Sequence, residues 1–462
     1  MGVKTKRTMN VARRRPSMTL ASFACVIAAS STVFIVPAGA ESLQDAMAVA
    51  YRTNPTVQSE RARLRATGEL KAQALAGLLP QISASGNLGR SVVSQSSAAG
   101  GPFDQQNVPL DQISYVAQGE QLLFDGFRSI QAVKQAADQI NAAEAQLIGI
   151  EQQLLSDVAS AYFDVVRDMA VYELNRSNVE VLLQQLDQAQ VRFRVGEITR
   201  TDVAQADARL AGARANLTNA SAQLAVSRAR YVQLVGQSPA SLEADTPPPL
   251  LPASLDDAKT MALQVAPAIL TAKATERASK RAVKIAKGNF APRITANADY
   301  QFAEEPSTFI TETDSYTYGV RANLPIFQGG ARFSQVRQAK ATNESDRQRI
   351  VEAERLTTAQ VVAAWEQLNA ANATITSAQA QVSANTLALE GVRKEALVGS
   401  RSTLDVLNAE LELLNAEVAL ATAQRDSRGA SYALLAAMGV LTPEAMGLTA
   451  YDAPKKGGFL PF

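Results

Sequence analysis

The spacing of apolar and polar positions changes period several times along the chain, and it does so twice in the same order. Residues 43–79 are rich in Ala, Leu, Arg and Glu and read as helix, with Pro55 closing a short first helix and Pro80 ending a second. The period then drops to two. Ile294, Ala296, Ala298, Tyr300 and Phe302 alternate with Arg293, Thr295, Asn297, Asp299 and Gln301. Tyr316, Tyr318, Val320, Ala322, Leu324 and Ile326 alternate with Thr317, Gly319, Arg321 and Asn323. A weaker version runs through Ile82, Ala84, Gly86 and Leu88, then Ile113, Tyr115 and Ala117. Such alternation predicts strands with one apolar and one polar face, of the roughly ten residues that a tilted membrane strand needs. A soluble sandwich with one solvated face fits the alternation equally well, but it does not explain lone strand pairs set between very long helices.

After Asp125-Gly126 and after Gln328-Gly329-Gly330 the helical pattern returns, with no Pro until Pro239 and Pro443. Residues 128–195 alone would form a helix about 100 Å long at 1.5 Å per residue. Two rows recur by sevens: Val133, Ile140, Leu147, Leu154, Ala161, and Val158, Val165, Tyr172, Val179, Leu186, Phe193. A helix of this length cannot bury its apolar seam in one globular core and must pack along partner helices. Gly196 and Gly399 suit the position just past a helix end. Thr199-x-x-Asp202 and Ser402-x-x-Asp405 then match capping boxes with Asp in place of Glu. Each long helix, 128–195 and 331–398, is therefore expected to turn tightly into a returning helix, 200–236 and 403–438, as an antiparallel hairpin.

The two passes through this pattern are a duplication. Ser42-Leu43-x-Asp45-Ala46 recurs as Ser254-Leu255-x-Asp257-Ala258, and Leu79-Pro80-Gln81-Ile82 as Ala291-Pro292-Arg293-Ile294, both 212 residues on. Farther along, Phe124 matches Phe327, Val195-Gly196 matches Val398-Gly399 and Asp202-Val203 matches Asp405-Val406, all 203 residues on. The nine-residue difference falls between about 88 and 113, where residues 91–109 read as a Ser/Gly/Pro loop longer than its partner around 303–314. The chain thus divides into a first repeat, 41–245, a Pro-rich linker, 246–253, a second repeat, 254–440, and a tail, 441–462.

Composition removes most chemistry. The 462 residues include no His and one Cys, which excludes a histidine general base, a Cys/His zinc site and an internal disulfide. No cofactor, metal site or enzymatic activity is expected. A net charge of +1 provides no basic footprint for nucleic acid. Residues 1–40 carry Lys4, Lys6, Arg7, Arg13, Arg14 and Arg15 without an acid, then an apolar run from Met18 to Val36 and Ala38-Gly39-Ala40. These are the three parts of a cleaved export signal. Removing it takes away Cys25 and moves the net charge from +1 to −5. No later stretch has 18 consecutive apolar residues, so membrane residence, if any, is as a β-barrel.

One chain supplies four strands, too few to close a barrel, and an open edge is not viable in lipid. Two chains give eight strands with a filled interior, and three give twelve with room for a lumen. At this point the layout resembles the TolC family of outer-membrane efflux and secretion ducts, in its non-lipidated branch, since Glu41 and not Cys would follow the cleavage site. The residues that carry the likeness are Leu43-x-x-Ala46, Asn54-Pro55, Leu79-Pro80 and Leu324-Pro325-Ile326-Phe327-Gln328-Gly329-Gly330. The hairpin tips Val195-Gly196-Glu197-x-Thr199-x-Thr201-Asp202-Val203 and Val398-Gly399-Ser400-Arg401-Ser402-Thr403-Leu404-Asp405-Val406-Leu407 complete it.

The resemblance implies an α+β, mostly α fold: a homotrimer with a twelve-stranded outer-membrane barrel, continued by a periplasmic α-helical coiled-coil tunnel with a belt at its middle. It implies a passive duct in a tripartite export system, joined to a periplasmic adaptor (membrane fusion) protein and an inner-membrane RND or ABC pump. The cargo would be drugs and toxic compounds or, alternatively, a secreted protein. By motif position it places a periplasmic gate at Arg401 against Thr201 and Asp202. A constriction ring falls at Asp405, with Asn408 departing from a second acidic ring, and adaptor contacts fall at Val195, Gly196, Val398 and Gly399. Asp202 and Asp405 are also plain helix-capping acids. A periplasmic coiled-coil protein that never enters lipid is the reading from a different class.

Overall fold

The computed structural model describes residues 41–95, 105–239, 241–243 and 249–448. The export signal with its cleavage site and Cys25, the middle of the first strand loop, part of the Pro-rich linker and the end of the tail lie outside the described residues. The helices are α1 (Leu43–Thr53), α2 (Pro55–Ala76), α3 (Arg128–Arg194), α4 (Arg200–Val235), α5 (Leu255–Val265), α6 (Pro267–Gly288), α7 (Ala331–Leu397) and α8 (Thr403–Met438). The strands are β1 (Gln81–Gln95), β2 (Gln105–Phe124), β3 (Arg293–Ser307) and β4 (Ile310–Asn323). The duplication is visible in the lengths: α1 and α5 have 11 residues, α2 and α6 have 22, α3 and α7 have 67, and α4 and α8 have 36. Local chemistry sets these ends. Ser42 and Ser254 accept from the backbone N–H groups of Asp45 and Asp257 as N-caps, and Pro55 and Pro267 open α2 and α6, where a missing N–H costs nothing.

The four strands form one antiparallel sheet in the order β1-β2-β3-β4. Its register decides the two faces. Leu88 lies opposite Ile113, Ala84 opposite Ala117, Tyr115 opposite Phe302, and Tyr300 opposite both Ala117 and Tyr316. Ala298 lies opposite Tyr318 and Ala296 opposite Val320 on the same side. Gln118, Glu120, Asn297, Asp299, Gln301, Thr317 and Arg321 line the other side, where Arg293 donates to Glu120 at 2.9 Å. The described residues leave the apolar side uncovered: Ile82 is 83% exposed and Tyr318 86%. A sandwich would bury that face, so the sandwich reading is wrong. Among the described residues both outer edges, β1 and β4, lack a second strand partner.

The strands depart from their sequence expectations in two places. The region read as a loop between 88 and 113 is mostly ladder: β1 continues to Gln95 and β2 begins at Gln105, with Arg90 and Asp111 paired at 2.6 Å across the strands. Likewise β3 and β4 meet at a turn over residues 308–309, not at a loop over 303–314. At the other end β4 stops at Asn323, short of Leu324 and Ile326, because Pro325 cannot donate to a ladder.

The helices pack as two antiparallel hairpins, α3–α4 and α7–α8, with α6 between α3 and α7 and α2 against α3. The main core lies at the middle of α3, where Leu155, Val158, Tyr162 and Phe163 meet Leu43 and Met47 of α1, Tyr231 of α4 and Tyr432 and Leu435 of α8. The two ends of the first repeat and the start of the tail close over it. Glu41 bridges to Leu242, the Tyr162 hydroxyl lies 2.9 Å from the carbonyls of both Glu41 and Glu243, and Leu441 is fully buried. Trp365 packs in a second cluster with Val361 and Leu434. The heptad rows are buried at Ile140, Leu147, Leu154, Val158, Val165 and Val179 and partly buried at Val133, Tyr172 and Leu186, but Phe193 near the tip is 43% exposed. Toward its end α3 packs on α4 and α8 through Val179 and Leu182 against Leu210, Ala213 and Leu407, and the seam becomes exposed beyond them.

Candidate functional site

The candidate site is the pair of hairpin tips with the helical turns behind them. Each tip reverses direction through a glycine. Gly196 has φ +79° and its N–H bonds to the carbonyl of Phe193 at 2.9 Å, while Glu197 N–H reaches Arg192 O at 3.0 Å. Gly399 has φ +78°, with Gly399 N–H on Ala396 O at 3.2 Å and Ser400 N–H on Glu395 O at 3.0 Å. The long-range bond in each satisfies a helix-end carbonyl, and the left-handed φ needs glycine. Val195, Leu397 and Val398 are left 74%, 87% and 79% exposed at the extremity.

The capping boxes form in both repeats. Asp202 N–H donates to Thr199 Oγ1 while its carboxylate accepts from Thr199 N–H at 2.8 Å. Asp405 N–H donates to Ser402 Oγ, and its carboxylate accepts from Ser402 N–H at 2.9 Å. Those backbone N–H donors, helped by the Thr199 and Ser402 hydroxyls, hold both carboxyls below the usual aspartate range.

The tips carry opposite charge at one matching position, Arg192 and Glu395. Arg192 on α3 pairs with Glu197 at 2.6 Å, whereas its counterpart Glu395 on α7 pairs with Arg401 at 2.9 Å. Within one chain Arg401 is therefore held by Glu395, and Asp202 by its own cap. Thr201 is exposed on the first turn of α4. The chain by itself does not bring Arg401 together with Thr201 and Asp202.

Behind the tips, Asn408 is occupied: Arg209 of α4 donates to its Oδ1 at 2.7 Å. Two residues on, Glu410 is buried and accepts from Gln185 of α3 and from Arg393 of α7. Sequence reasoning missed Arg209, Gln185, Arg393 and Glu410. The signal for Glu410 was present, since it falls between the buried Leu407 and Leu414 on the 3-4 seam of α8, where a carboxylate is out of place. Among the described residues no group of His, Cys, Asp and Glu is arranged to hold a metal ion.

Comparisons with known proteins cover the same ground. Residues 48–237 and 260–440 each match the Outer membrane efflux protein family, one match per repeat. The chain is 34% identical to the outer membrane efflux protein BepC of Brucella suis over 430 residues, 92% of this chain and 91% of that one. It is 28% identical to the alkaline protease secretion protein AprF of Pseudomonas aeruginosa over 384 residues, 80% of this chain and 78% of that one. Among solved structures, the CmeC outer membrane channel of Campylobacter jejuni superposes with a TM-score of 0.76 at 15% identity, over 87% of this chain and 86% of that one.

Proposed function

The chain belongs to the outer membrane efflux protein family, and from that premise we propose that it is the outer-membrane duct of a tripartite export system, closed by three copies and gated at its helical tips. Members of the family are channels of the outer membrane and not enzymes, and the chain resides there with its helices extending into the periplasm. The observation that carries the finer reading is the sheet: one face apolar and bare, the other polar, both edges open. In lipid each open edge must find another strand, and the strands available are those of further copies. Three copies give twelve strands around the polar face, which becomes the wall of a water-filled lumen.

The repeat supports closure by copies. Gly126, with φ +71°, nests so tightly that an added Cβ would lie 2.5 Å from Ala291 Cβ and 2.6 Å from Gly288 O. Its counterpart Gly329 has φ +59° and open space around it. The residues matching Gly288 and Ala291 are Ala76 and Leu79, so Gly329 fits the Ala76–Leu79 corner of the next copy.

A duct of this kind does no chemistry and draws on no energy of its own. A pump in the inner membrane, reached through a periplasmic adaptor at the exposed Val195-Gly196 and Val398-Gly399 tips, supplies the driving force. Between copies, Arg401 of one tip would exchange its Glu395 partner for Thr201 and Asp202 of the neighbouring hairpin. Three Asp405 carboxylates would line the narrowest point and favour cations. The likeness to the efflux protein BepC supports efflux, for which drugs and toxic compounds are the proposed cargo, and the likeness to the alkaline protease secretion protein AprF supports protein secretion as the second reading.

The test is the purified protein in detergent and in planar bilayers. A three-chain mass and small, cation-preferring channels are expected. A monomer that leaves the bilayer silent overturns the reading. Deleting the gene and scoring sensitivity to drugs, dyes and bile salts separates efflux from secretion.

A further inference from the structure

Glu41, which directly follows the expected cleavage site, is held at every one of its polar groups. Its backbone N–H donates to the carbonyl of Ser241 at 2.6 Å. Its carbonyl lies 2.9 Å from the Tyr162 hydroxyl and accepts from the Glu243 N–H at 3.2 Å. Its carboxylate accepts through Oε1 from the Tyr231 hydroxyl at 2.8 Å and from Gln237 Nε2 at 3.1 Å. Both tyrosines are fully buried, so these contacts tie Glu41 to the central core and not merely to the surface.

The second repeat has the same helices and none of this polarity. The residues matching Glu41, Tyr162, Tyr231 and Gln237 are Ala253, Trp365, Leu434 and Val440. Trp365, Leu434 and Val440 pack together in the second apolar cluster. A helix bundle of this fold is therefore content with an apolar plug at this place and does not need a polar cradle. The two places differ in their position along the chain. Ala253 lies inside a continuous stretch that joins the repeats, whereas Glu41 comes immediately after Ala38-Gly39-Ala40.

We propose that Ser241, Tyr162, Tyr231 and Gln237 form a binding site for the N-terminus that cleavage creates, with the Glu41 α-ammonium seated on the Ser241 carbonyl. The inference rests on cleavage after Ala40. Hydrolysis adds water across the Ala40–Glu41 peptide bond: Ala40 leaves as a carboxylate, and the Glu41 nitrogen becomes an ammonium with three N–H donors and a full charge. Before cleavage the same nitrogen offers one N–H and no charge. The bond to Ser241 is then charge-assisted, and such bonds are roughly twice as strong as neutral ones.

The seat also suits the charge. An ammonium just ahead of a helix meets the positive end of the helix dipole. Here the first turn of α1 carries Asp45, and the Glu41 carboxylate takes its bonds from Tyr231 and Gln237, neither of which balances its charge. Cleavage thus fastens α1 to α3 and α4 at the core, and removal of the export signal becomes a folding step of the exported chain.

The experiment compares the purified mature protein with a form that carries Gly-Ser inserted between Ala40 and Glu41, which moves the ammonium out of its seat. Mass spectrometry fixes the first residue of each. A wild type that begins anywhere but Glu41 overturns the proposal. An amine-acylating reagent at neutral pH should modify the terminal nitrogen of folded wild type at least about tenfold more slowly than that of the folded inserted form, each rate taken relative to the same chain unfolded. The insertion should also lower Tm by several degrees. Tyr231→Phe and Gln237→Val, which keep the packing of the second repeat's apolar plug, should speed acylation of the Glu41 nitrogen. Contacts that merely seal the core would lower Tm in these variants and leave the terminal nitrogen equally reactive in wild type and inserted form, and that result overturns the proposal. Should the inserted form not fold, wild type alone decides: a Glu41 nitrogen that reacts as fast in the folded protein as in the unfolded chain overturns it.

Discussion

Arg61 on α2 donates to the Glu151 carboxylate on α3 at 3.0 Å, with their side chains only 3% and 8% exposed, and the Arg61 guanidinium also lies 4.3 Å from the centre of the Tyr51 ring. Its counterpart one repeat on is Lys273, which is half exposed and only 3.8 Å from Glu354. The same helix pair is thus fastened by a buried ion pair in one repeat and a loose surface pair in the other.

Removing one partner of the buried pair leaves a charge without compensation. Arg61→Ala should destabilise the chain by about 3–5 kcal/mol, and Lys273→Ala by no more than ~1 kcal/mol. Thermal or denaturant unfolding of the two variants checks this. Burial raises the Glu151 pKa more than Arg61 lowers it. The folded state therefore holds the Glu151 proton more tightly than the unfolded chain does, and this group's contribution falls as pH rises from the unfolded carboxyl value through the raised folded one. Glu151→Gln should remove that part of the stability-versus-pH curve.

The two faces of the sheet make opposite predictions for neighbouring residues. Tyr318 stands on the bare apolar face and Thr317 on the polar one. Tyr318→Arg should cost about 2–4 kcal/mol of membrane stability and sharply reduce the protein recovered in outer membranes, whereas Thr317→Arg should insert normally and shift ion selectivity toward anions. Equal insertion of both variants would contradict the assignment of faces.

Gly126 and Gly329 should both resist substitution, for partly different reasons. Gly126→Ala forces a clash with Ala291 and Gly288 inside the chain and should impair folding of the monomer. Gly329→Ala meets nothing inside the chain and adds only left-handed strain of roughly 1–2 kcal/mol there. Its larger effect should appear in assembly, seen as monomer accumulating in detergent while the helical content stays native.

At the tips, Asp405→Asn tests the ring separately from the cap, because an amide oxygen can still accept from the Ser402 N–H. Weaker cation preference with unchanged channel stability is expected, measured as reversal potential in a salt gradient. Glu395→Gln should tighten the gate and lower conductance, since it releases Arg401 from its partner within the chain, and Arg401→Ala should raise conductance.

The caps also set an acid limit. Because the folded-state pKa values of Asp202 and Asp405 are lowered, their contribution is complete above the unfolded aspartate value of about 3.9 and is lost as pH falls through the lowered folded values. Hydrogen exchange at the first turns of α4 and α8 should accelerate in that acid range before the central core around Tyr162 and Tyr231 responds.

The sequence by itself determined the local structure and its repetition. The 3.6-to-2 change of period marked where helix gives way to strand, Pro55, Pro80 and the Gly196 and Gly399 turns marked ends, and the two offsets exposed the duplication. All of these signals act between residues close in the chain, or between copies of one pattern, so a single sequence contains them. It also showed that each strand has two faces. The tertiary structure decided which strands lie side by side, placing Tyr115 against Phe302 and Ala298 against Tyr318 so that four separate stripes become one bare apolar face. It decided that Arg401 turns to Glu395 within its own tip and that Asn408 is taken by Arg209. It brought Gln185 and Glu410 together from 225 residues apart. Those pairings depend on which helix faces which over distances that no local period encodes, and a polar residue on an apolar seam acquires meaning only when its partner across the interface is in place.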